Sequence, residues 1–339
     1  MKQLLIGPRK FKKSNITGGE VILFENWINY CIKNNHSFDV IDANKGNYPN
    51  IIIALLKIYW QLLTKTCKND IVFLQGSKND YFFIAPFAAL VCKIFNKPLF
   101  LRKFAGEFDK DFEKASFLKK RCTAWTMRKA QGLFWEVKRL LPFGSKFNKK
   151  CYWLPNHREK GIHKRSSEEV YNPTKFVFIS QVRKEKGIDE LLEAFRILGS
   201  EYDIDIYGPL IGYKPEDLNG HYKGQLEPEE VSLTLSKYQI LVLPSSWKEG
   251  YPGIIIEAFN SGLPTIATPV GGIPEMIEDG VNGLLCDSSS PKDIIKAIKR
   301  LESLDFKILS ENALSSFASY DSSVVNKGVY DILNSSLKK

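Results

Sequence analysis

The 339-residue sequence lacks any CxxC pair; its six cysteines (Cys31, Cys67, Cys92, Cys122, Cys151 and Cys286) are scattered. Cysteines spaced in this way read as small apolar side chains in a reducing compartment, which excludes a disulfide scaffold and a zinc ribbon. The four histidines show no metal-ligand spacing. Also missing is an apolar run of the roughly 18–20 residues that a bilayer-spanning helix needs. Ile51–Leu63 is interrupted by Lys57 and Tyr81–Val91 is short, so both read as core helices. The opening MKQLLIGPRK holds too short an apolar run for a signal peptide and reads as a first buried strand. There is no internal repeat and no low-complexity tract.

What is present is an ordinary globular composition, 44% hydrophobic and 25% charged. The length exceeds the size at which a single core usually keeps growing, so two domains are expected. Net charge is +10, unevenly spread: residues 1–165 carry 31 basic and 12 acidic side chains, against 17 and 26 in residues 166–339. A basic half points to an anionic partner, whether nucleic acid, anionic lipid headgroups or a phosphorylated acceptor. No nucleic-acid-binding module or aromatic–basic motif accompanies the charge, so nucleic acid is not the expected partner.

Short β-rich runs alternate with longer helical segments, the pattern of parallel α/β sheets. Strands are predicted at Gln3–Gly7, Phe38–Asp42, Ile71–Gln75, Leu99–Arg102, Gly132–Trp135 and Cys151–Leu154, with helices at Gly19–Lys33, Asn50–Lys65, Tyr81–Phe95 and Phe112–Arg128. The polar stretch Asn156–Thr174 has no apolar periodicity and reads as a linker. Strands resume at Lys175–Ser180, Tyr202–Tyr207, Ile240–Leu243, Thr265–Ala267 and Leu284–Cys286, with helices at Gly187–Leu198, Glu229–Lys237, Gly253–Asn260 and Pro291–Glu302. In such sheets ligands bind outside the carboxyl ends of the strands.

The most informative stretch is SSWKEGYPGIIIEAFNSGLPTIATPVGGIPEMIEDGVNGLL, Ser245 to Leu285. Glu249 lies in a Gly/Pro loop, and Glu257 follows eight positions later within an apolar helix. A carboxylate among Ile254, Ile255, Ile256, Ala258 and Phe259 is costly to bury without a partner. The glycines and the helix start beside Glu249 offer backbone N–H groups suited to a phosphate or a sugar hydroxyl.

This stretch resembles the glutamate–seven residues–glutamate motif of glycosyltransferase family 4, among the glycosyl transferases group 1. That family is retaining and has the GT-B fold, two Rossmann-like doubly wound domains facing across a cleft. The continuation is also similar, through Gly271-Gly272 and Pro274-Glu275. The first half resembles the family more loosely, through Gly18-Gly19 and Leu154-Pro155-Asn156, and the end, SFASYDSSVVNKGVYDIL, resembles its final helix, which crosses back to the first domain. The expected domains are residues 1–165 for the acceptor, 166–320 for the donor, and a returning helix at 321–339.

The resemblance implies roles for matching residues. Glu249 would hold donor-sugar hydroxyls and Glu257 the nucleotide ribose. The loop at Gly250, Tyr251, Gly253 and Ile254 would approach sugar and diphosphate through backbone amides, and Gln225 and Leu226 would approach the base. Lys186 would neutralise the diphosphate, and Gly18 and Gly19 would let the first domain come close to the donor. Negative charge grows on the leaving diphosphate as the glycosidic bond breaks, and a fixed cation with backbone dipoles stabilises it. The family's favoured route is same-face substitution without a protein nucleophile or a metal, so the two-carboxylate chemistry of hydrolases is not assigned.

Two departures stand out. Where the family usually has an arginine after the strand Lys175–Ser180, this sequence has Gln181, and Arg183 is the nearby candidate to replace its guanidinium. Where many members carry a histidine after the fourth strand, this sequence reads LRKFAGEFD, so Arg102 is a candidate to line the cleft. The expectation is a hexosyltransferase-type, metal-independent enzyme without a cofactor. It would use a nucleotide-diphosphate sugar and a glycan or polyprenyl- or lipid-linked acceptor. Lipopolysaccharide, O-antigen or capsule synthesis at the inner face of the cytoplasmic membrane is its expected setting, with peripheral contact to anionic lipid. A catalytically altered partner subunit, or another nucleotide-sugar enzyme on the same fold, stays open as the alternative.

Overall fold

The computed structural model describes residues 1–11, 18–104, 106–161, 173–247 and 249–337. The chain forms two compact units: Met1–Asn156 with Ser322–Lys339, and His157–Asp321. The expected boundary at 165/166 falls outside the described residues.

In the first unit the strands are β1 (Gln3–Gly7), β2 (Phe38–Asp42), β3 (Ile71–Gly76), β4 (Leu99–Lys103), β5 (Gly132–Trp135) and β6 (Cys151–Trp153). Its helices are α1 (Gly19–Lys33), α2 (Ile51–Lys65), α3 (Lys78–Ile94), α4 (Phe108–Lys114), α5 (Phe117–Lys129) and α6 (Leu141–Ser145). The strands pair in parallel in the order β2-β1-β3-β4-β5-β6. The order reverses between β1 and β3, which sets α1 on one face of the sheet and α2, α3 and α5 on the other, given right-handed crossovers.

In the second unit the elements run β7 (Lys175–Ile179), α7 (Ile188–Leu198), β8 (Asp203–Tyr207), β9 (Tyr222–Gly224), α8 (Val231–Leu235), β10 (Ile240–Leu243), α9 (Gly253–Asn260), β11 (Thr265–Ala267), β12 (Gly283–Leu285), α10 (Pro291–Arg300) and α11 (Phe306–Ser316). The sheet order is β12-β11-β10-β7-β8-β9, parallel throughout. This is the doubly wound dinucleotide-binding order, with its switch point between β7 and β10.

The last helix, α12 (Ser322–Ser335), belongs to the first unit. Val329 and Leu333 join Leu5, Phe24, Trp27 and Phe73 in one buried cluster, and Tyr330 stacks on His36 at 3.9 Å between ring centroids.

Several elements differ from the sequence reading. Phe112–Arg128 is two helices, because Ala115 and Ser116 adopt extended backbone. Phe108 starts the first of them, since its ring is fully buried against Tyr81, Trp135 and Phe143. The strand β9 and the helices α6 and α11 were not predicted. Asn156 and His157, at the head of the expected linker, are buried at 5% and 0% exposure, so that part is packed structure. The helix at Ile51–Leu63 is core on one side only: Ala54, Ile58 and Leu62 are buried while Ile52, Leu56 and Trp60 face outward.

Candidate functional site

The loops leaving β7 and β10 meet at the switch point of the second sheet. After β7 the chain turns through Lys184–Lys186 and enters α7 at Gly187. Gly187 sits at φ +76°, and a Cβ there would collide with the Pro244 carbonyl, just beyond β10. Only a glycine lets the turn approach so closely. The approach sets the Lys186 ammonium directly on the Glu249 carboxylate, both side chains mostly buried at 19% and 12% exposure. Ser245 Oγ donates to the same carboxylate oxygen at 2.7 Å, and Ser246 N–H donates to the Glu185 carbonyl at 3.0 Å.

The continuation of the motif holds this loop from behind. Gly272 N–H donates to the Glu249 carbonyl at 3.2 Å and to that of Gly250 at 3.1 Å. Gly271, at φ +61°, packs so tightly that any side chain would run into the Glu249 backbone. Tyr251 is buried, and its hydroxyl donates to Glu275 at 2.6 Å. The GG and PE pairs are therefore the backing of the Glu249 loop.

The N-terminus of α9 opens beside that loop at Gly253, after Pro252, which has no N–H to give. Glu257, one turn in, pairs with the Arg158 guanidinium. Arg158 was missed from sequence because it lies in the polar stretch taken as a linker. Its own N–H is fixed on the Tyr320 carbonyl at 3.0 Å. Its guanidinium lies against Gly253, where a Cβ would overlap Nη2. Both glutamates of the motif are thus neutralised by cations from other segments. A ligand that carries hydroxyls and phosphates can exchange these partners, hydroxyls taking the carboxylates and phosphates the cations.

The other sequence-derived candidates fall as follows. Arg183 commits its fork to Glu185, with two hydrogen bonds of 2.9 Å. That pairing holds the Glu185 carboxyl down at about 2. Arg183 thus carries a carboxylate partner in this structure, two residues after Gln181, which is exposed. Gln225 is exposed and Leu226 half-buried, just past β9, where the Gly224 carbonyl accepts from Gly208 N–H at 2.9 Å. Ile254 is half-buried in the first turn of α9.

In the first unit, Gly18 and Gly19 open α1 on the exposed surface with empty space where a Cβ would sit, so packing does not demand them. Arg102 is a buried clamp instead of a cleft-lining group. It is 1% exposed, donates to Gln75 Oε1 and the Pro155 carbonyl at 3.2 Å each, and lies over Phe104. Burial pushes its guanidinium down to about 10. Its neighbour Lys103 is also buried, which lowers its pKa, and it faces Glu20, Glu136, Asp111 and Asp80. Burial raises the Glu20 carboxyl against the opposing pull of Lys103. This cluster sits at the carboxyl ends of β1, β3, β4 and β5. The signal in the sequence was positional: Glu20 and Asp80 each lie in the first turn of the helix that follows a strand, and Lys103 ends a strand.

Residues 159–315 match the family model described as glycosyl transferases group 1. A glycosyltransferase of uncharacterised specificity from Methanocaldococcus jannaschii is 30% identical over 153 residues, 42% of each chain. The amylovoran biosynthesis glycosyltransferase AmsK of Erwinia amylovora is 29% identical over 151 residues, 40% of this chain and 37% of that one. The matched region thus spans about two-fifths of these curated relatives. By structure, Anabaena HepE in complex with UDP superposes with TM-score 0.74 at 15% identity, over 99% of this chain and 100% of that one. The lipopolysaccharide outer core galactosyltransferase WaaB superposes with TM-score 0.71 at 14% identity, over 99% and 100%. The fold is the GT-B fold of these glycosyltransferases.

Proposed function

Taking residues 159–315 as a glycosyl transferases group 1 domain, we propose that the chain is a retaining glycosyltransferase using a nucleotide-diphosphate sugar. The observation that carries the reading is the Lys186–Glu249 pair at the β7/β10 switch point, beside the start of α9. On this reading the donor diphosphate lies against Lys186 and the backbone amides of Gly253 and Ile254. Glu249 turns to the sugar hydroxyls and Glu257 to the ribose, with Arg158 released toward phosphate. Charge building on the leaving diphosphate is met by groups already fixed in place, so no metal is invoked. Open space at Gly18 and Gly19 suits close approach of a ligand.

HepE was crystallised with UDP and with UDP-glucose, which makes uridine donors the first to test. AmsK serves amylovoran biosynthesis and WaaB the lipopolysaccharide outer core, which supports a surface-polysaccharide acceptor carried on lipid at the inner face of the cytoplasmic membrane.

The test is a screen of uridine, guanosine, adenosine and cytidine diphosphate sugars, read by thermal protection and by slow hydrolysis of the donor. One donor at about 100 times its Kd should stabilise the fold by about 2.7 kcal/mol. Lys186→Ala and Glu249→Ala should stay folded and lose both responses. Silence toward every donor overturns the transferase reading. It would favour the altered-subunit alternative, which Gln181 and the commitment of Arg183 to Glu185 motivate.

A further inference from the structure

The face of the first sheet covered by α2, α3 and α5 carries an apolar surface that the fold does not use. On α2, Ala54, Ile58 and Leu62 point to the core, yet the opposite side presents Ile52, Leu56 and Trp60, the last 67% exposed. On α3, Phe83 faces outward, and at the head of α5 Phe117 and Leu118 are 77% and 69% exposed. These helices are neighbours, and Phe83 joins them. Its carbonyl accepts from Tyr59 of α2 at 3.0 Å, and Lys119 of α5 lies 5.0 Å over its ring. A contiguous patch of large apolar groups on an otherwise polar exterior marks an interaction surface, unlike single exposed leucines.

Charge identifies the partner. The three helices carry Lys57, Lys65, Lys78, Lys93, Lys119, Lys120, Arg121, Arg128 and Lys129. Their one acidic residue, Asp80, is buried and paired with Lys45 at 2.7 Å. Lys78 pairs with Asp111 of α4 at 3.2 Å, and an apolar face rimmed mainly by cations fits the interface of an anionic bilayer, where acyl chains take the apolar groups and headgroups the lysines. Trp60 suits the headgroup boundary. Among the described residues no helix is long and apolar enough to cross a membrane. At about 1.5 Å per residue the fifteen residues of α2 instead lie along the surface.

We propose that the α2–α3–α5 face is a membrane-docking surface for anionic lipid. The inference deepens the proposed function by naming where the chain meets the membrane that bears its acceptor, and it rests on that reading for its purpose but not for its evidence.

The experiment is co-sedimentation of the full chain with neutral phosphatidylcholine vesicles and with vesicles containing phosphatidylglycerol, at low and high salt. Binding to the anionic vesicles should exceed neutral binding by about tenfold or more at low salt and fall as salt rises. The double variant Leu56→Glu/Trp60→Glu should lose that binding, and Lys119→Glu/Lys120→Glu should lose the salt-sensitive part. Leu56, Trp60 and Lys119 are exposed and Lys120 half-buried, so the variants should keep a melting temperature close to wild type and its response to nucleotide sugars. A second apolar variant, Leu118→Glu, repeats the test should the α2 pair misfold. Equal binding to neutral and anionic vesicles overturns the proposal, as does wild-type binding by the glutamate variants. So does self-association through this face without vesicle binding. A wild-type chain that binds no vesicles yet responds to a donor refutes the surface alone; one that binds vesicles without any donor response refutes the transferase reading alone.

Discussion

At Gly271 a single hydrogen in place of a side chain decides where Glu249 sits. The residue is left-handed, and its Cα lies against the Glu249 backbone. Gly271→Ala should therefore cost about 1–3 kcal/mol in strain and also displace the Glu249 loop. Melting curves with and without donor separate the effects: the variant should fold with a lower midpoint and lose donor protection altogether. Full protection in a folded variant would show that the Gly271-Gly272 turn does not support the loop. Glu20 offers a prediction of opposite sign. Burial raises its carboxyl above the usual glutamate range, so its ionisation works against the fold. That favours stability below the ordinary carboxylate pKa, and the favour is lost as pH rises through the raised value. Glu20→Gln should raise the melting midpoint at pH 7 and converge with wild type near pH 4. A uniform drop at both pH values would show that the attraction of Lys103 outweighs burial. Residue legibility followed locality. Glu249, Glu257 and Lys186 could be singled out because the motif that carries the family resemblance is local, and the structure pairs Glu249 with Lys186. Arg158 was not, because its partner lies 99 positions away. Arg102 was misjudged because arginine is usually solvated, and nothing nearby in the sequence announces the Gln75 and Pro155 acceptors.

Among elements, α12 makes the clearest claim. Leu333 is fully buried in the cluster with Trp27 and Phe73, supplied by a helix nearly the whole chain away. Leu333→Ala should cost about 2–5 kcal/mol, the usual range for such a truncation. Replacing the exposed Val324 on the same helix should cost little, and equal small effects in urea melts would reject the docking of α12 on this core. Strands β1, β2 and β5 and helices α1 and α9 were legible to the residue, because their hydrophobic runs end in clear turn signals. Where tertiary contacts rule, legibility failed. The early start of α4 follows from Phe108 seating itself among Tyr81, Trp135 and Phe143. The three-residue β9 exists only because β8 offers it an edge.

Across the whole molecule, the two parallel sheets could be read from the alternation of strands and helices, since parallel strands need long crossovers. The strand orders could not, because order is a property of which edges meet in space. The order in the second unit explains why Lys186 and Glu249, 63 positions apart, share one hydrogen bond: the two loops leave the switch point side by side. The charge split also gains a location. The basic half places lysines and arginines around the outward apolar side of α2, α3 and α5, while α1 and α12 occupy the other side of the same sheet.

The return of α12 also bears on how the protein is made. The second unit is a single continuous segment, His157–Asp321, and holds everything it needs once that segment has left the ribosome. The first unit begins emerging earlier but cannot close early, because Val329 and Leu333 follow the whole of the second unit in sequence. Until they arrive, part of the cluster around Trp27 stays uncovered. Nascent chains therefore carry an unfinished apolar surface while the whole second unit is being made, a period in which chaperone binding or premature association competes with folding. The unit begun first is sealed last.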